Sequence, residues 1–145
     1  MAWIQTAPRD IVEPMSLEVN RRLTGGVTIL DLIGNVTAGA EADVLRTHIM
    51  DAFQQSSKHI LLNCEQLDYA DSSGIGEILR AYASIARDGG MMKLLRPHRR
   101  ILELLAITHL DKVFEVIDDE RLAVGSFNTA SQLKNQQTMT AFLKD

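Results

Sequence analysis

The feature that most constrains the fold is a polar turn between an apolar run and an amphipathic pattern. The apolar run covers residues 60–64 (ILLNC), and the turn covers residues 68–76 (DYADSSGIG). Apolar residues then recur at positions 75, 78, 79, 82, 85 and 86, which is the spacing of one helix face. The sequence therefore predicts a strand, a polar loop and a helix, with two serines and two glycines where the helix begins.

The start of this helix leaves two roles open for the serines. Backbone N–H groups in the first turn of a helix are unpaired, and a serine or aspartate side chain there commonly caps them. The positive end of the helix dipole also favours a phosphate group. Asp71 or one serine can cap the helix while the other hydroxyl stays free for phosphorylation. Spacing alone does not choose between these roles.

The rest of the chain alternates between strand and helix patterns. Residues 17–23 and 27–33 are predicted to form a hairpin closed by Gly25 and Gly26, and Thr37 is predicted to cap the helix that follows. Later strands are predicted at 60–64, 91–95 and 113–117, each followed by a helical pattern. The predicted class is α/β, in the order β-β-α-β-α-β-α-β-α, with a mixed, mostly parallel sheet and helices. Functional loops in such sheets follow the carboxyl ends of strands, as the serine turn does.

The length of 145 residues predicts one domain with two flanking segments. Residues 1–15 form an N-terminal arm that contains Pro8 and Pro14, and residues 16–127 form the domain. Residues 128–145 are rich in Ser, Thr, Asn and Gln, and we interpret them as a polar C-terminal tail. Whether the arm and the tail mediate homo-oligomer formation stays open.

Composition argues against several classes of partner. The net charge of −4 and the lack of a basic run argue against nucleic-acid binding. No apolar stretch reaches the length of a membrane span, and no signal peptide is visible, so we expect a cytoplasmic protein. The single cysteine, Cys64, lies in the apolar run and is expected to be a small buried hydrophobe.

The sequence contains no recognisable enzyme motif. The serines do not lie in G-x-S-x-G, no phosphate-binding glycine loop is present, and no zinc-ligand spacing occurs. We therefore expect a non-enzyme with no catalytic residue, no metal and no cofactor. Two alternatives remain: a hydrolase that uses Ser72 or Ser73, and a receiver-like Mg²⁺ site built from Glu65, Asp68 and Asp71.

The turn Asp71-Ser72-Ser73-Gly74-Ile75-Gly76, between a strand and a helix, closely resembles the STAS domain of bacterial anti-sigma factor antagonists. Gly34-x-Val36 before the first helix and the sequence LDKVF at 110–114 also match this family. The resemblance spans residues 17–127, so it identifies the predicted domain as a STAS domain and excludes the arm and the tail.

The resemblance implies a regulatory protein that binds an anti-sigma factor and thereby releases a sigma factor. The anti-sigma factor is often a serine kinase, which phosphorylates the antagonist and releases it, and a PP2C-type phosphatase reverses this step. By the same resemblance Ser72 is the phosphoacceptor. Partner-binding residues would be Asp71, Ser73, Gly74, Ile75 and Thr37.

Two residues depart from the family pattern. Thr37 stands where many members have an aspartate, which removes one acidic contact to the partner, and His109 stands where many members have glycine. Some STAS domains act instead as scaffold subunits of stress-signalling assemblies or lipid-transport ATPase complexes, without a phosphorylation switch. That role is the alternative function.

Overall fold

A computed structural model of the chain describes residues 17–127, which form five strands and four α-helices. The strands are β1 (Leu17–Thr24), β2 (Val27–Val36), β3 (His59–Ala70), β4 (Met91–Leu95) and β5 (Val116–Ile117). The helices are α1 (Ala40–Gln55), α2 (Ser72–Arg87), α3 (Arg99–Ile107) and α4 (Glu120–Gly125), and a short 3₁₀ helix covers Leu110–Lys112. The predicted arm and tail lie outside the described residues, so their boundaries stay predictions.

The strands form one sheet in the order β1-β2-β3-β4-β5. β1 and β2 are antiparallel, whereas β2, β3, β4 and β5 pair in parallel. Gly25 and Gly26 close the β1–β2 hairpin with φ angles of 55° and 77°, which glycine adopts without strain. This topology confirms the predicted α/β class, the mixed and mostly parallel sheet, and the order of the elements.

Both faces of the sheet are covered, and the alternation of side chains along the strands assigns them. Leu62 and Cys64 of β3 belong to the larger buried cluster, which also contains apolar residues of α1, α2 and α3. Leu61 points to the other side and packs with Ala123 of α4 and with Phe127. The first three helices therefore cover one face, and α4 covers part of the other.

β3 is longer than predicted. The sequence places its end near Cys64 and treats residues 68–70 as loop, but the strand continues to Ala70. Its second half pairs with the second half of β2 from Ile33 to Val36. The register shifts between Asp31 and Ile33 and again between Gly34 and Asn35, as at β-bulges. As a result, the loop before α2 is reduced to Asp71 alone.

Two local predictions need correction. Thr37 does not cap α1, because Gly39 occupies the N-cap position and the Thr37 hydroxyl instead donates to Glu41 Oε1 at 3.0 Å. The last strand covers only Val116–Ile117, because the preceding residues turn into the 3₁₀ helix. His109 has φ 61° and ψ 22°, a left-handed conformation that explains why glycine is favoured there. Within residues 17–127, none of the helices combines the length and the apolar character needed to cross a bilayer.

Candidate functional site: the serine turn

Asp71 organises the turn between β3 and α2. Its backbone is extended at the N-cap position, and its Oδ1 accepts a hydrogen bond from the Gly74 N–H at 2.8 Å. Its Oδ2 accepts from the Ala38 N–H at 3.2 Å, which joins the turn to the loop after β2. The aspartate is therefore the helix cap, as one of the two sequence interpretations allowed, and it also links two loops at one edge of the sheet.

Gly74 allows these two loops to come together. A Cβ atom at this position would lie against the carbonyl oxygen of Val36 and 2.7 Å from Val36 Cγ1. The same carbonyl accepts a hydrogen bond from the Asp71 N–H at 3.1 Å. The first turn of α2 is thus seated directly on the end of β2, and Thr37, the next residue, lies beside the turn.

Ser72 and Ser73 are the first two residues of α2, and both are exposed. Because Asp71 supplies the cap, neither serine is needed for that purpose. Among the described residues, neither hydroxyl forms a hydrogen bond. Both hydroxyls are therefore available to solvent at the positive end of a 16-residue helix.

An open groove begins at Ser72 and runs between the end of β3 and α3. Apolar residues from both elements form much of its wall, and two of them are exposed, Tyr69 by 43% and Ile107 by 75%. The full lining is Tyr69, Ala70, Asp71, Ser72, Arg100, Ile101, Glu103, Leu104 and Ile107. An exposed apolar surface beside a free hydroxyl is typical of a protein contact site.

A network of ion pairs lies on the next turn of α2. The carboxylate of Glu77 is only 5% exposed, yet it binds two arginines, Arg46 Nη1 of α1 at 2.9 Å and Arg80 Nε at 2.8 Å. The hydrogen bond to Glu77 raises the pKa of Arg46, and a second bond to Asp43 raises it further. Two positive side chains are therefore fixed on the surface next to the serine turn.

The structure brings together the residues that the sequence assigns to the site. Asp71, Ser72, Ser73 and Gly74 are consecutive in the turn, and Thr37 joins them through the contact between the loops. Ile75 is different, because its side chain is 2% exposed and belongs to the core. Its contribution to the site is its backbone N–H, which closes the first helical turn on the Asp71 carbonyl at 3.0 Å.

The sequence analysis missed the groove and the ion-pair network. The signal for the groove was Ile107, an apolar residue at the end of α3 that faces solvent. The signal for the network was Glu77, an acidic residue between the buried Ile75 and Ile78, with an arginine three residues later. Neither signal can be interpreted without a second element. The end of β3 completes the groove, and Arg46 of α1 completes the ion-pair network.

Two of the three acids proposed for the Mg²⁺ alternative, Asp71 and Glu65, already have partners. The Asp71 carboxylate accepts two backbone N–H bonds, and Glu65 pairs with Arg96 at 3.2 Å. In the described part of the chain, no three His, Cys, Asp or Glu side chains lie together as a group that could hold a metal ion. Burial raises the pKa of the Cys64 thiol to about 12, so this cysteine is a core residue rather than a nucleophile.

The STAS domain family model matches residues 18–123. An anti-sigma F factor antagonist from Paenibacillus polymyxa is 30% identical over 118 residues, which cover 81% of this chain and 100% of that protein. The residues matched by the family model include the serine turn, the loop after β2 and α3.

Solved structures share the fold at lower sequence identity. An anti-sigma factor antagonist from Mycobacterium paratuberculosis superposes with a TM-score of 0.64 at 17% identity, covering 77% of this chain and 93% of that one. The Bacillus cell fate determinant SpoIIAA in its phosphorylated form superposes with a TM-score of 0.60 at 22% identity, covering 78% and 100%. With the family match over 18–123 and the topology described above, the chain belongs to the STAS domain family.

Proposed function

We propose that this protein is an anti-sigma factor antagonist whose activity is switched off by phosphorylation of Ser72. In this role it binds an anti-sigma factor that is a serine kinase, and binding releases a sigma factor. The observation that carries the proposal is the exposed, unbonded hydroxyl of Ser72 at the head of α2, next to an apolar groove. The name of the Paenibacillus polymyxa relative supports the same general function.

The arrangement supports binding to a kinase through the surface around the turn. Asp71 holds the turn rigid, so the Ser72 hydroxyl can be presented without unfolding the first turn of α2. Tyr69 and Ile107 offer apolar area on the groove side, and Thr37 borders the turn on the other side. Ser73, Gly74 and the Ile75 backbone shape the surface that the kinase would contact.

A phosphate on Ser72 would act on this contact surface without refolding the domain. It adds about −1.5 to −2 charge next to Asp71, at the edge of an apolar groove. A partner that buries this surface would have to desolvate that charge. A loss of about 3–4 kcal/mol would reduce affinity a few-hundred-fold, which is enough to release the partner.

The proposed cycle needs a phosphatase, and we assign that step to a PP2C-type enzyme. The protein itself would act by binding and would not catalyse a reaction. The antagonist, the anti-sigma factor, the sigma factor and the phosphatase would all act in the cytoplasm. The segments 1–15 and 128–145 would flank the STAS domain.

The experiment is intact-mass measurement followed by peptide mapping. The protein would be purified from its own host, and recombinant protein would be incubated with the host's anti-sigma kinases and ATP. We expect one added phosphate on wild-type protein and on Ser73→Ala, and none on Ser72→Ala. Ser73→Ala is the matched control, because Ser73 is also exposed and its hydroxyl also forms no hydrogen bond among the described residues.

Labelling that persists in Ser72→Ala would refute the assignment of the acceptor. A protein that carries no phosphate under any of these conditions, yet forms a stable complex with an ATPase subunit, would refute the switch. A complex of that kind, insensitive to Ser72→Asp, would point to the scaffold function.

A further inference from the structure

We propose that Arg80 is the residue that binds the phosphate on Ser72, with Glu77 as the group that positions it. This inference rests on the proposed function, because it concerns the phosphorylated form of the same site. It assigns to the chain a specific cationic side chain that would bind the phosphate and that is separate from the helix cap.

The position of the Arg80 guanidinium is the first argument. The Arg80 side chain folds back toward the start of α2, and its Nη2 lies 3.7 Å from the point that a Cβ on Gly76 would occupy. Gly76 follows Ser72 by four residues, so both lie on the same face of the helix, with about 5–6 Å between Cβ positions. Rotation about the Cα–Cβ and Cβ–Oγ bonds of Ser72 would bring a phosphate into the space between them. Gly76 has no side chain to block that space.

The anchoring of this guanidinium is the second argument. Arg80 is 70% exposed, and an exposed arginine normally samples many rotamers, but its Nε donates to Glu77 Oε1 at 2.8 Å. Glu77 is itself held by Arg46 Nη1 at 2.9 Å and is almost fully buried. The carboxylate therefore fixes the guanidinium near Gly76 before any phosphate is added, which lowers the entropic cost of binding.

The number of donors on arginine is the third argument. A guanidinium has five N–H donors, and among the described residues Arg80 uses only Nε. Its Nη1 and Nη2 groups can donate hydrogen bonds to phosphate oxygens while the pair with Glu77 stays intact. The phosphate does not compete with Glu77, so the α1–α2 contact is preserved in both states.

The other charges near Ser72 do not offer the same combination. Arg100 lies along the groove, on α3, but no described residue is bonded to it to hold it toward Ser72. Arg46 donates from Nη1 to Glu77 and from Nη2 to Asp43, so both terminal nitrogens of its guanidinium already have carboxylate partners. Asp71 opposes a phosphate rather than binding it. Of these three arginines, Arg80 combines a fixed position with free donors on the Ser72 face of α2.

The test uses the full chain with phosphoserine incorporated during translation at position 72, so that no kinase is needed. ³¹P NMR would follow the second ionisation of this phosphate as pH is varied. A neighbouring guanidinium favours the dianion, so Arg80→Gln should move the titration midpoint upward by about half a pH unit. Arg87→Gln, which removes the same charge from the far end of α2, should leave the midpoint unchanged.

A second readout separates phosphate binding from a general effect on folding. The ¹H–¹⁵N signals of the Arg80 guanidinium should shift when phosphoserine replaces Ser72, and those of Arg87 should not. Glu77→Gln should reduce the difference in titration midpoint between the parent protein and Arg80→Gln, because it weakens the ion pair that holds the Arg80 guanidinium. Equal midpoints in Arg80→Gln and the parent protein would overturn the inference, and so would Arg80 signals that do not respond. Failure of the proposed function is separate, since it would appear as no kinase labelling of Ser72.

Discussion

Replacement of Gly74 by alanine should destabilise the protein, although alanine is the better helix former. In an exposed helix the exchange of glycine for alanine is worth about 1 kcal/mol in favour of folding. Here the added methyl group would meet the Val36 carbonyl and would lie 2.7 Å from Val36 Cγ1. A clash with backbone cannot be relieved by a rotamer change, so either α2 or the end of β2 must move.

The magnitude follows from the two opposing effects. Forcing an extra methyl group into a packed site costs about 3 kcal/mol when backbone must shift, which exceeds the gain in helix propensity. Gly74→Ala should therefore lower the free energy of unfolding by about 2 kcal/mol, which corresponds to roughly 6–8 °C in Tm. Gly76→Ala is the matched control, because its Cβ would meet only Arg80 Nη2 at 3.7 Å. That variant should be more stable than the wild type by about 0.5–1 kcal/mol.

The assay is chemical denaturation of the wild type and the two variants, followed by circular dichroism. The two substitutions are chemically identical and lie two residues apart on the same helix. A lower free energy of unfolding for Gly74→Ala and a higher one for Gly76→Ala would support the close contact of α2 with the end of β2. A Gly74→Ala protein that is as stable as Gly76→Ala would refute this reasoning, because the contact would then not limit the side chain at position 74.

Three further predictions concern the cap, an ion pair and the cysteine. Asp71→Asn keeps an oxygen that can accept the capping hydrogen bond but loses the bond from the Ala38 N–H. Thermal unfolding should therefore show a smaller loss of free energy of unfolding than for Asp71→Ala, which should lose ~1–2 kcal/mol. Hydrogen bonds from Arg22 lower the pKa of Glu120, so this pair should add stability above the usual glutamate pKa and lose it as pH falls through the lowered value. Glu120→Gln should therefore cost up to about 1 kcal/mol at pH 7 and progressively less as the pH falls through the lowered pKa of Glu120, as measured by denaturation at each pH. Cys64 should react with a thiol reagent only after denaturant is added, because burial raises its pKa to about 12, and rapid labelling of native protein would contradict its burial.

The sequence predicted the elements that depend on local patterns. The helix spacing after residue 75, the glycine pair in the hairpin and the acidic cap at Asp71 all appear in the structure. It was less accurate where pairing with another strand extends or shortens an element. β3 continues to Ala70 because β2 offers it a partner, and Thr37 fails as a cap because Gly39 occupies that position. The pairing of β3 with β2 joins distant segments and cannot be read from the local sequence.

The sequence by itself determined the α/β class, the order of the elements and the place of Ser72 at the start of a helix. These properties follow from side-chain periodicity and from capping, which act over a few neighbouring residues. The position of Asp71 before two serines also gave the resemblance to the STAS family, which the family match over residues 18–123 confirms.

Only the tertiary structure decided which side chains meet. Glu77 binds Arg46, a residue 31 positions away, and Lys93 is 2% exposed because Ser126 supplies oxygen partners for its ammonium group. The groove beside Ser72 likewise forms only when α3 packs next to the end of β3. Burial of a charge is tolerated only with such partners, and partners from distant segments are supplied by the fold and not by the local pattern.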